Sequence, residues 1–294
     1  MALESPFALP LLSSQHASHL LPDLVPTQVL AMRNGSFLDQ ADWLAAEEPL
    51  EIRVEGPDQV AIRVAVTMRT PGHDRELAVG FLYTEGLLPC RDAVVSINTG
   101  SAAESTRPCN IVTVRLSHPF DATILQRNFF ATSSCGVCGK ASLEQIAVRC
   151  APVAPGPVMA DAVLVRLPER MRQAQQLFEQ TGGLHAASLF DITGRLLSLR
   201  EDVGRHNAVD KLVGEMLLAG EVPLAQQILL VSGRTSFEIL QKAAMAGIPI
   251  ICAVSAPSSL AVEVASHFGM TMVGFLREHR FNVYTHPERI VLDG

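Results

Sequence analysis

Polar and apolar positions alternate along Glu51-Ile52-Arg53-Val54 and again along Val60-Ala61-Ile62-Arg63-Val64-Ala65-Val66, with Gly56-Pro57-Asp58 between them. A period of two carried by β-branched residues predicts two strands, and the turn residues predict that they pair as a hairpin. From Glu76 to Tyr83 the apolar spacing becomes helical and stops near Gly86, and Ile111 to Leu116 returns to strand.

The later half is more regular. Leu164 to Gln180 predicts one helix with Pro168 near its first turn, and Thr181-Gly182-Gly183-Leu184-His185 predicts a glycine turn into a strand. Val209, Leu212, Val213, Met216 and Leu217 fall at i, i+3, i+4, i+7 and i+8, the apolar face of a helix. Two successive units then align with each other. Ile228 to Gly247 and Ile251 to Gly269 each run strand, hydroxyl-bearing turn, helix, glycine. Thr235 with Glu238 predicts a capping box, and Gly247 and Gly269 suit the residue just past a helix. Met270 to Leu276 and Phe281 to Tyr284 predict two more strands, joined by Arg277-Glu278-His279-Arg280.

This succession predicts an α/β fold over residues 151–294, a largely parallel, doubly wound sheet preceded by the break at Pro152, Pro155 and Pro157. Residues 41–150 predict a smaller, β-rich α+β subdomain ending in a mobile loop. Residues 1–40 predict a poorly ordered tail, since Leu9 to Pro26 mixes Pro, Ser, His and Leu without period.

Composition narrows the function classes. A chain of 294 residues can bury a sizeable core, and its six sparse cysteines suit a reducing compartment. The net charge of −7 argues against general binding to nucleic acid or anionic lipid. No Lys or Arg precedes Arg33, so the start lacks the charged region of a secretory signal. The longest apolar run, Gly247 to Pro257, is about half the ~20 residues of a membrane helix. These features predict a cytoplasmic protein with no membrane or nucleic-acid partner.

Two places carry candidate chemistry. The first is Phe129 to Lys140, where Cys135 and Cys138 stand three apart among small residues. Lys140, and the helix that a Ser142–Gln145 capping box predicts, would favour the thiolate, the reactive form of cysteine. The pair alone fits half a zinc site completed by two of Cys90, Cys109, Cys150 and Cys252, a redox dithiol, or non-redox sulfur carriage. The second place is the strand ends. Ser232-Gly233-Arg234-Thr235 and Ser255 sit where strands give way to helix N-termini, which suits phosphate, although such turns also serve simply as caps. Asp202-Val203-Gly204-Arg205-His206-Asn207 packs an acid, a base and a cation at one helix entrance, and Gly183 and His185 open a nearby strand. Arg277 and Arg280 either reach this crevice or lie on a solvated hairpin turn.

Taken together, Ser133 to Gly139, Thr181 to His185, Glu201 to Lys211, Ser232-Gly233-Arg234 and Phe275-Leu276-Arg277 resemble the FdhD family, sulfur-carrier proteins (sulfurtransferases) required for formate dehydrogenase activity. The resemblance runs from about Leu50 to the C-terminus. It implies a protein that receives persulfide sulfur from a cysteine desulfurase. The sulfur would pass to the molybdenum bis(molybdopterin guanine dinucleotide) cofactor of formate dehydrogenase. By motif match, Cys135 would carry the persulfide and Cys138 assist. Phe275, Leu276, Arg277, Glu278, His279 and Arg280 would bind the cofactor or its analogue GDP. Gly183, His185, Asp202, Arg205, His206, Ser232, Gly233, Arg234, Thr235 and Ser255 would line the crevice. The resemblance also implies a core similar to cytidine deaminase and a homodimer; separately, the lack of a second ligand pair near Cys135 predicts no resident metal. Two rivals stand beside it. One is a non-catalytic chaperone for the cofactor. The other is a zinc deaminase, which needs H-x-E before P-C-x-x-C, whereas His73-Asp74-Arg75-Glu76 has the wrong spacing and Ser134 replaces the proline.

Overall fold

Ten-residue strands β1 (Leu24–Arg33) and β2 (Ser36–Ala45) form an antiparallel hairpin in the computed structural model, which describes residues 23–100, 110–123, 125 and 152–292. Much of this hairpin falls within the tail expected up to residue 40. The missed signal is Asn34-Gly35, both at positive φ, the turn pair that closes two-residue hairpins. The ribbon leaves Leu30, Met32, Phe37 and Leu38 exposed.

The alternation in the next segment forms β3 (Glu48–Glu55) and β4 (Ile62–Arg69), the predicted hairpin. Helix α1 (Asp74–Thr84) follows, then β5 (Val94–Gly100) and β6 (Ile111–Leu116) complete a sheet of order β4-β3-β6-β5. Leu50, Ile52 and Val54 of β3 and Val112, Val114 and Leu116 of β6 turn inward and bury against Leu77, Ala78 and Leu82 of α1. Each such side chain contributes about 1.5–3 kcal/mol by leaving water.

After β7 (Met159–Ala160), the helix expected over 164–180 is three pieces: α2 (Asp161–Leu164), α3 (Leu167–Ala174) and α4 (Gln176–Thr181). Pro168 sits in the first turn of α3, where its missing N–H is tolerated but continuity with α2 is not. Gln175, at ψ 77°, breaks α3 from α4.

The larger sheet contains β8 (His185–Phe190), β9 (Leu196–Asp202), β10 (Ile228–Val231), β11 (Ile250–Ala253), β12 (Thr271–Arg277) and β13 (Arg280–Thr285), in the order β13-β12-β11-β10-β8-β9. It is mixed, which corrects the largely parallel sheet expected. Only β10–β11 and β11–β12 are parallel pairs, while β8, β9 and β13 join antiparallel. The helices α6 (Phe237–Met245) and α7 (Ser259–His267) carry the chain back between the neighbouring strands β10, β11 and β12 and make them parallel, whereas β8 to β9 and β12 to β13 are joined by short turns that reverse direction. Gly247 and Gly269, at φ 74° and 70°, close those helices as expected. One face of the sheet packs on α5 (Arg205–Ala219), α6 and α7, and the other on α2, α3 and the short β14 (Ile290–Val291), which pairs with β7.

The two sheets are joined through α1 and α5, which touch backbone to backbone. A Cβ on Gly80 would lie 1.8 Å from the Asp210 carbonyl oxygen, and one on Gly214 would lie 1.9 Å from that of Glu76. Buried ion pairs sit on either side. Lys211 Nζ lies 2.7 Å from Asp202, and Lys242 Nζ lies 3.0 Å from both Asp210 and Glu85. No helix among the described residues is long and apolar enough to cross a membrane.

Candidate functional site

Because β8 runs antiparallel to β10, its start lies at the end of β10, and this meeting brings His185 to Ser232. Ser232 closes the ladder there: its N–H donates to Ala186 O at 3.0 Å, and its Oγ accepts from Ala186 N at 2.9 Å. Gly233 leaves room beside it, since a Cβ would stand 3.2 Å from His185 Nδ1 and 3.9 Å from Arg205 Cδ. His185, Arg205, Ser232 and Gly233 therefore converge at one strand end. Burial first, then the neighbouring Arg205 and His206, hold His185 below the ordinary histidine pKa, which favours a neutral imidazole at pH 7.

Arg205 supplies the most suggestive atom. Its Nε is buried and has no hydrogen-bond partner among the described residues. A buried cationic donor left unpaired is costly, and an anionic oxygen would relieve that cost. His206, one residue on, meets α6 instead: its Nε2 lies 3.3 Å from Ser236 Oγ and 3.6 Å from a Glu238 oxygen. The contact with His206, opposed by burial and aided by Ser236, holds the Glu238 carboxyl at about 2.

The two repeated turns lie side by side. Thr235 N–H donates to Ala256 O, and Ser258 N–H donates to Thr235 O. The cap position expected at Thr235 falls instead on Ser236, the residue before α6, whose hydroxyl donates to the Glu238 carboxylate at 2.7 Å rather than accepting from a helix N–H. Thr235 is enclosed, with an unpartnered Oγ1. Phe275, at φ 52°, donates its N–H to Ser255 O at 3.1 Å, so the base of the β12–β13 hairpin is tied to the second turn. Beyond it Leu276 enters the core, whereas Arg277, Glu278, His279 and Arg280 are exposed at the hairpin end, as is Arg234 on its turn.

Asp202 is placed differently. It is fully buried, and its carboxylate takes Lys211, the N–H groups of Thr70 and Gly204, and Asn207 Nδ2. Asn207 also donates to Met68 O at 2.7 Å. These residues of the Asp202–Asn207 motif pin the two units together, whereas Arg205 lies beside Gly233 at the strand end and His206 meets α6. Glu201, absent from the sequence candidates, accepts from the N–H groups of Leu177 and Phe178 at 3.0 and 2.9 Å and so fixes α4.

A cavity of about 640 Å³ opens beside this strand end. Gly183, His185 and Ser232 line it, together with Arg172, Gln175 and Phe178. Sequence reasoning missed the last three because an unbroken helix gave no reason to single them out. Cys135 and Cys138 lie outside the described residues, as does the helix expected after them. Of the described cysteines, Cys90 is exposed, whereas Cys252 is buried in the sheet, where burial raises its pKa and leaves it inert. Among the described residues no three His, Cys, Asp or Glu side chains group closely enough to hold a metal ion.

Comparison with known proteins places this geometry in a family. A model of the FdhD/NarQ family matches residues 45–291. Proteins named sulfur carrier protein FdhD are similar over nearly their whole length. That of Streptomyces avermitilis is 49% identical over 273 residues, covering 90% of this chain and 95% of the relative. That of Sulfurisphaera tokodaii is 44% identical over 265 residues, covering 90% and 98%. The crystal structure of a protein from Desulfotalea psychrophila, described as a formate dehydrogenase accessory protein, superimposes with a TM-score of 0.70 at 26% identity. It covers 92% of this chain and all of its own.

Proposed function

Because the chain belongs to the FdhD/NarQ family, we propose that it is a sulfur carrier serving formate dehydrogenase, with Cys135 as the persulfide site and the crevice at the β8–β10 end as the docking place of the substrate. In this reading the Cys135 thiolate attacks the outer sulfur of a cysteine desulfurase persulfide. A new S–S bond forms on Cys135, and the desulfurase cysteine leaves as thiolate. Cys138 assists release: its thiolate attacks Cys135 Sγ, hydrosulfide departs, and an external dithiol reduces the resulting disulfide. The acceptor is the molybdenum bis(molybdopterin guanine dinucleotide) group, whose pyrophosphates require cationic donors.

The buried, unpartnered Nε of Arg205 carries the assignment of the crevice, since it leaves a donor open to an anionic oxygen. The paired turns at Ser232 and Ser255, each leading into a helix N-terminus, support it. A chain of net charge −7 with cations gathered there would favour a compact polyanion over extended nucleic acid.

Incubation with a cysteine desulfurase and cysteine tests the carrier role. A one-sulfur mass increase should map to Cys135 and be absent in Cys135→Ala, which should also fail to mature formate dehydrogenase. Full maturation by Cys135→Ala would leave only a cofactor chaperone.

A further inference from the structure

The β1–β2 ribbon is held at its base, where Ala46 N–H donates to Asp23 O and Ala45 Cβ would lie 3.9 Å from a Cβ on Gly183. Beyond the base every residue from Met32 to Leu44 is exposed, yet the ladder runs unbroken from Leu24–Ala45 to Arg33–Ser36. A two-stranded sheet with neither face covered is marginal in water, so one face calls for a layer that the described residues do not supply. Cross-paired residues share a face, which sorts the side chains. On one face Pro26, Leu30 and Met32 stand opposite Trp43, Asp39 and Phe37, and Asp39 is the only charge there. The other face mixes Leu38 and Leu44 with Thr27, Arg33, Gln40 and Asp42.

We propose that the face carrying Met32 and Phe37 packs on the same face of a second copy of the chain, so that two ribbons stack across a twofold axis into a four-stranded double layer. A twofold contact needs one patch that is complementary to itself, and apolar side chains with no hydrogen bonds to match meet that condition. Met32 is 64% and Phe37 68% exposed, with Leu30 and Trp43 beside them. Covering these four would remove roughly 500 Å² per protomer, about 1,000 Å² for the pair, the size at which an interface becomes specific. An apolar patch of that extent left open on a single chain marks an interaction site. Although each copy has a net charge of −7, this face brings only Asp39 to the seam. Four strands in two layers also pass the number at which a β unit holds by itself. The inference is independent of the sulfur-carrier reading, since it uses no residue of the crevice.

Sedimentation equilibrium of the full chain across micromolar concentrations, on the wild type, the double variant Met32→Glu/Phe37→Glu and Leu38→Glu, tests it. The wild type should associate as two chains. The double variant should weaken that association by about a hundredfold or more, because it sets like charges against each other at the seam. Leu38→Glu, on the opposite face, should leave it unchanged. Trp43 is the chain's single tryptophan, so its emission reports on the seam with no substitution at all. On dilution of the wild type the emission should move to longer wavelength with the same midpoint as dissociation, a reading that stands even if the double variant folds poorly. A wild type that stays a single chain overturns the proposal. So does a double variant that associates as the wild type does, a Leu38→Glu variant that falls apart, or a Trp43 emission that does not change with dissociation.

Discussion

At the residue scale, charge at the joint between the units is set by partners rather than by residue type. Burial alone would raise the Glu76 pKa, but hydrogen bonds from His73 and Arg200 outweigh it and hold the carboxyl at about 2. Arg200 Nε lies 2.7 Å from Glu76, and its Nη2 lies 2.7 Å from Glu215. A carboxylate lowered on folding stabilises the native state above its unfolded pKa, and that stability is lost as pH falls toward the folded value. Wild type should therefore exceed Glu76→Gln by about 1–3 kcal/mol at pH 7, and the gap should close between about pH 4.5 and 2. Urea unfolding of both proteins across that range measures it. A gap independent of pH would mean that the glutamine loses packing rather than charge.

At the scale of elements, α1 and α5 approach too closely for side chains between them. Either alanine at this crossing must push the helices apart, because the clash is with backbone and no rotamer relieves it. Gly80→Ala and Gly214→Ala should each cost about 3 kcal/mol or more, measured as a fall in the urea midpoint. Since Asp202, Asn207 and Lys211 cross the same joint, the crevice face of α5 should shift with it, and GDP affinity should fall in parallel. Unchanged stability in both variants would show that the crossing tolerates a methyl group and that the joint lies elsewhere.

At the scale of the whole molecule, the proposed function puts sulfur loading and substrate docking on separate parts of the chain, and if so variants should separate them. Arg234 and Arg277 are exposed on two different elements, the α6 turn and the β12–β13 hairpin, at the side where Phe275 meets Ser255. Alanine at either should weaken GDP by about 1.5–3 kcal/mol, the worth of a charge-assisted hydrogen bond, without reducing persulfide loading of Cys135. Calorimetry and mass spectrometry on the same preparations decide it. Unchanged GDP affinity in both would make these arginines ordinary surface charge.

What the sequence determined by itself is what short-range physics enforces. The hairpin around Gly56, the apolar face of α5, the paired strand-turn-helix units and their closing glycines were all legible, because side-chain period and backbone freedom act within a few residues. The FdhD motifs were legible for the same reason, being contiguous. Tertiary structure decided the rest. Strand direction in the larger sheet depends on which connections include a crossover helix, and three of its five pairings are antiparallel. Asp202 and Asn207 share a motif with Arg205 and His206, yet the packing of α1 against α5 draws the first two into the joint and leaves Arg205 beside Gly233 at the strand end and His206 against α6. Gln175 gains its place only because Glu201, on a distant strand, caps α4 and stabilises a break that local helix propensity would have closed.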